Sequence, residues 1–146
     1  MPANLTDHLS SALEARRALM AQLHAEQTNA YRLFHGSVEG ESGLSVDRYG
    51  DALLVQTFHR PLPPEALAAL EAFYATAFPG LPLFYNDRSQ SNSRISNALA
   101  PEQIAAAHEP RLFQEMGVTY RFQARHAGQD PWLFLDLRAG RRRVMQ

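Results

Sequence analysis

No cysteine occurs in the 146 residues, which excludes disulfides, thiolate metal sites and a cysteine nucleophile from this stretch of chain. Lysine is missing as well, so all 14 basic residues are arginine, the side chain that combines forked phosphate contacts with stacking on bases. A genome rich in particular bases would produce the same bias without any function. No apolar run reaches the roughly 18 residues that a membrane-spanning helix needs, and Met1 to Ser11 lacks the charged-then-apolar layout of a signal peptide. A soluble, cytoplasmic protein is expected, with no membrane and no metal among its partners. Internal repeats and low-complexity tracts are also missing.

What is present is enough apolar material, 45% of residues, for one domain with a real core. The net charge of -1 conceals an asymmetry: residues 1 to 110 hold 7 arginines against 12 acids, and residues 111 to 146 hold 7 against 3. Positive charge is therefore concentrated at the end of the chain, where it can steer toward phosphates. Thr6 or Asn4 can cap a first helix reaching about Thr28 and Asn29, with Leu9, Ala12, Leu13, Leu19, Met20 and Leu23 along its apolar stripe. A strand is expected over Tyr31 to Val38, broken by Gly36 and Gly40. A β-hairpin follows: Leu44 to Arg48 alternates, Tyr49-Gly50-Asp51 turns, and Leu53 to Phe58 returns, with Gly50 at a positive φ.

Pro61, Pro63 and Pro64 precede a second helix from about Glu65 to Phe78, ended by Pro79-Gly80. Leu81 to Tyr85 reads as a short buried strand, and residues 86 to 100 as a polar loop. A second hairpin spans Arg111 to Arg125 and turns near Met116-Gly117, with Val118, Tyr120 and Phe122 on one face. Finally, Asp136 is placed to cap a helix that runs from Leu137 to Gln146 without a terminator, so the natural chain is expected to continue. The fold class expected is α+β: a small antiparallel sheet with two hairpins and two main helices, then the first helix of a truncated doubly wound domain.

Candidate chemistry is sparse. His8, His24, His35, His59, His108 and His126 lack the spacing of a metal site, and surface or packing roles are expected for them. Gly36, Gly40 and Gly43 lead into a strand rather than a helix, so they do not form a phosphate-cradling loop. Glu39, Glu41, Asp47 and Asp51 are read as exposed hairpin acids. Arg88 and Arg94, in a serine-rich loop, and the cluster Arg138, Arg141, Arg142 and Arg143 are the candidate contacts to a nucleic-acid backbone.

Glu39-Gly40-Glu41-Ser42-Gly43-Leu44-Ser45-Val46-Asp47-Arg48-Tyr49-Gly50-Asp51 resembles the D-G-x-P-G-L-x-V-D-R-Y-G-D stretch of S-adenosylmethionine-dependent large-subunit ribosomal RNA methyltransferases, the cytosine carbon-5 kind and relatives. Asp87-Arg88-Ser89 with Arg94 resembles the family's arginine-serine loop, and Glu115-Met116-Gly117-Val118 its E-N-G-L turn. Gly128-Gln129 and Phe134-Leu135-Asp136-Leu137-Arg138 with Arg141 resemble G-Q-K-T-G-F-F-L-D-Q-R-x-N-R. Ser42 replaces a proline, Asp130-Pro131-Trp132 replaces Lys-Thr-Gly and Leu137 replaces glutamine.

The resemblance implies an accessory domain over residues 1 to 130 that helps to position ribosomal RNA, and the start of a methyltransferase domain over 131 to 146. It also implies that Phe134, Asp136 and Arg138 face S-adenosylmethionine and that the catalytic residues lie beyond Gln146, while Arg88, Arg94, Arg141, Arg142 and Arg143, read from their charge, are the residues expected to meet RNA. An RNA-binding barrel found at the start of many relatives is expected to be replaced here by the first helix. This chain alone would then be non-catalytic and would not hold the cofactor. The competing expectation is a non-catalytic protein-interaction or structural module, distinguished by weak salt dependence of its binding.

Overall fold

The computed structural model describes residues 4–88 and 111–122. The elements are α1 (Leu5–Ala15), α2 (Arg17–Ala25), β1 (Ala30–His35), α3 (Gly36–Glu39), β2 (Leu44–Tyr49), β3 (Ala52–Thr57), α4 (Pro64–Ala77), β4 (Leu83–Asp87), β5 (Arg111–Glu115) and β6 (Val118–Phe122). Asn4 is the first cap: its Oδ1 accepts from the Asp7 N–H at 2.9 Å while the Asp7 carboxylate faces the Asn4 N–H, a reciprocal capping box.

The expected single helix over residues 6 to 28 is two helices. At Arg16 the backbone N–H turns to Leu13 O (3.1 Å), and the guanidinium reaches back to Ala12 O and out to the Glu39 carboxylate at 2.6 and 2.8 Å. That forked pair fixes the break and ties α1 to α3. Leu19, placed by periodicity on the apolar stripe, is 44% exposed, whereas Leu9, Ala12, Leu13 and Leu23 are buried.

The main sheet has the order β1-β2-β3-β4. β1, β2 and β3 pair antiparallel, with a bulge in β1 between Arg32 and Phe34. β4 pairs parallel to β3, so the expected antiparallel sheet is a mixed one. The reason is the connection: α4 crosses between β3 and β4 and returns the chain in the original direction, as a helix-length crossover does. β5 and β6 form a separate two-stranded sheet.

All six residues of β3 are buried because both faces of the sheet are covered. Leu53 and Val55, with Leu44 and Val46, meet Leu9, Leu13, Leu70 and Tyr74 from the helices. Ala52 and Leu54 meet Ala30, Tyr49, Phe84 and Phe113 on the other face, where the β5–β6 hairpin lies. Tyr49 meets Phe113 edge-on at 5.3 Å, and Phe113 stacks on Tyr120 at 5.4 Å. Gly50, at φ 62°, starts the two-residue β2–β3 turn as expected, and a Cβ there would lie 2.4 Å from Leu112 O. The second turn, Met116-Gly117, has φ of 49° and 80°, positive at both central residues as a type I′ turn requires.

Candidate functional site

Only Arg88 among the expected site residues falls within the described residues; Arg94, Phe134, Asp136, Arg138, Arg141, Arg142 and Arg143 lie outside them, as does the expected helix at 137 to 146. Arg88 follows the last residue of β4. Its N–H donates to Thr57 O at 2.7 Å, its Nη1 to Gln56 Oε1 at 3.2 Å, and its guanidinium lies 5.5 Å from the centre of the half-exposed Phe58 ring. Beside it, Thr57 Oγ1 meets Tyr85 OH at 2.9 Å and donates to Asp87 Oδ1 at 3.1 Å. The end of the parallel β3–β4 pair thus presents a cation on an aromatic face.

The acids of the first motif are not the exposed set expected from sequence. Asp47 is 3% exposed and is bound by Arg32 at 2.7 and 3.1 Å; Glu39 is held by Arg16 and by the His35 N–H at 2.9 Å; Glu41 meets His8 Nδ1 at 3.0 Å. Asp51 alone of the four is exposed. Sequence proximity hid these pairs because each partner comes from another element. Burial pushes the Glu39 carboxyl up, but the hydrogen bonds from Arg16 and His35 outweigh it and leave it below the ordinary carboxylate range. These are clamps for the fold, with the glutamate ionised.

A second polar constellation was missed by sequence reasoning. His24 at the end of α2, Gln27, Thr28 and Asn29 in the turn that follows, Arg48 of β2 and Gln114 of β5 line an open pocket of ≈ 290 Å³. Backbone bonds bring the parts together: Asn29 N–H donates to Gln114 O (2.9 Å), Gln114 N–H to Asn29 Oδ1 (2.7 Å), Met116 N–H to Thr28 Oγ1 (2.9 Å), and Gly50 N–H to Asn29 O (2.9 Å). Arg48 donates from Nε to Gly50 O at 2.7 Å and from Nη1 to Tyr31 OH at 2.9 Å, with Tyr31 and Phe78 rings 5.8 and 5.6 Å from its guanidinium carbon.

Tyr31 OH also lies 2.7 Å from His24 Nε2. Burial and then the charge of Arg48 lower the His24 pKa, while burial raises that of Tyr31 against the pull of Arg48. Arg48, the Tyr31 hydroxyl and His24 are thus joined in one chain of hydrogen bonds, with Arg48 donating to the hydroxyl. Arg48 stood within the resemblance motif and His24 among the scattered histidines; no spacing rule connects residues so far apart on different elements. Among the described residues no group of three or more His, Asp or Glu could hold a metal, and no helix is long and apolar enough to cross a membrane.

Among known proteins, 99% of this chain aligns, over 153 positions at 31% identity, with a ribosomal RNA large subunit methyltransferase of Deinococcus radiodurans. The chain is similar to part of a ribosomal RNA methyltransferase. It spans 37% of that relative's length. No family model matches. A crystal structure of a provisionally assigned methyltransferase complexed with SAH superposes on 99% of the chain with a TM-score of 0.71 at 20% identity, covering 37% of that protein. A second, a provisionally assigned S-adenosylmethionine-dependent methyltransferase from Streptococcus mutans, gives 0.69 at 21% identity over 99% of this chain and 36% of its own. At these identities the two structures establish the shared fold of the region.

Proposed function

We infer that this chain is the N-terminal region of an S-adenosylmethionine-dependent methyltransferase acting on large-subunit ribosomal RNA, and that residues 1 to 130 position the RNA for a doubly wound catalytic domain that begins near residue 131. The observation that carries this reading is the alignment of 99% of the chain with a ribosomal RNA methyltransferase. Phe134, Asp136 and Arg138 face the cofactor, and Arg88, Arg94, Arg141, Arg142 and Arg143 meet the RNA backbone. In this reading, which for Asp136 and Arg138 rests on the sequence alone, the Arg138 guanidinium meets the cofactor's carboxylate or an RNA phosphate.

The glycine at the β1–α3 junction is not a cofactor cradle: a Cβ on Gly36 would meet Glu41 O at 1.8 Å, so the chain's own backbone fills the space that the cofactor's ribose or methionine would need.

The test is methyl transfer by the full-length protein from labelled S-adenosylmethionine to unmodified large-subunit ribosomal RNA, and retention of label in the RNA is expected. In that protein Arg138→Ala weakens cofactor or RNA binding by about 1.5 to 3 kcal/mol with little change in folding. No label transfer to any ribosomal RNA, or RNA binding indifferent to salt, would overturn the reading.

A further inference from the structure

We propose that the pocket formed by His24, Gln27, Thr28, Asn29, Arg48 and Gln114 is a binding site for a single unpaired nucleotide of RNA; this rests on the RNA-positioning reading and names the site that performs it. The volume of ≈ 290 Å³ is on the scale of one nucleotide and too small to admit a base pair. The lining residues include no carboxylate that would repel a phosphate. The arginine among them is held in a fixed plane, by Gly50 O and Tyr31 OH at its edge and by the Tyr31 and Phe78 rings.

The groups left over after folding decide the ligand class. Arg48 Nη2, the Gln27 and Gln114 carboxamides and the Asn29 amide nitrogen make no hydrogen bond among the described residues. His24 engages Tyr31 through Nε2, and its Nδ1 makes no hydrogen bond among the described residues. Carboxamides present a donor and an acceptor in one plane, the complement of a base edge, and a guanidinium complements a phosphate or stacks on a base. Recognition of unpaired RNA uses these groups on bases splayed out of a helix. The walls come from three separate elements pinned by backbone bonds, so the site exists before the ligand arrives.

Arg48 also holds Tyr31 and the β2–β3 turn, so the test spares it and removes the two exposed carboxamides. Full-length wild-type protein and the Gln27→Ala/Gln114→Ala double variant are titrated against a fluorescently labelled single-stranded RNA and against the same RNA annealed to its complement. Wild type is expected to prefer the single strand, and the double variant to lose about tenfold on the single strand alone, the effect of two neutral hydrogen bonds, with an unchanged melting temperature. Equal single-strand affinity of variant and wild type overturns the pocket while the RNA-positioning reading stands. A wild-type protein that binds neither RNA overturns both.

Discussion

Glu39→Gln removes one charge from the point where α1, β1 and α3 are tied together. The carboxylate accepts three hydrogen bonds, from Arg16 at 2.6 and 2.8 Å and from the His35 N–H at 2.9 Å, and both partners of the ion pair are only 20% exposed. Glutamine fills the same volume but offers one acceptor oxygen, so an ion pair becomes a single hydrogen bond from a still-charged, part-buried guanidinium. The loss expected is about 2 kcal/mol at neutral pH. Because the folded-state pKa of Glu39 lies below its ordinary value of 4.5, its contribution is full above that value and is lost as pH falls through the folded pKa. The gap between wild type and variant should therefore close in acid. Urea denaturation followed by circular dichroism at neutral and acid pH measures it, and a double-mutant cycle with Arg16→Met isolates the pair. A gap independent of pH, or a coupling energy near zero, would refute the clamp.

Three further substitutions test the packing around the site. Tyr74→Phe is expected to be neutral or to stabilise by up to about 1 kcal/mol in thermal denaturation, because the buried Tyr74 hydroxyl has no hydrogen-bond partner among the described residues; a loss above that would mean an unseen partner. Met116→Asn should stabilise by roughly 0.5 to 1 kcal/mol, since Met116 sits at φ 49° in a turn whose left-handed region asparagine tolerates. An unchanged or lower melting temperature would place the side-chain packing of Met116 above its backbone strain. Gly50→Val should cost more than about 2 kcal/mol, because the new side chain meets both a positive φ and the Leu112 carbonyl; chemical denaturation that shows no change would place the second hairpin elsewhere.

Part of this molecule is legible in the local chemistry of its chain. Both hairpins, their turn glycines and α4 follow from alternation, Gly-Asp and Met-Gly turns and a proline at a helix start, each a signal contained within a few residues. What failed was long-range. The break at Arg16 has no glycine or proline to announce it, and is fixed by a glutamate 23 residues away. The parallel pairing of β4 depends on which edge α4 delivers the chain to, and a five-residue apolar run does not say. The candidate site failed to show for the same reason: Arg48, His24 and Gln114 become neighbours only when the turn after α2 has bonded to β5 through Asn29. The arginines that stand out in the sequence are those that cluster along the chain. Arg48, which lines the pocket, stands apart from that cluster and is held in one orientation by a tyrosine and a carbonyl.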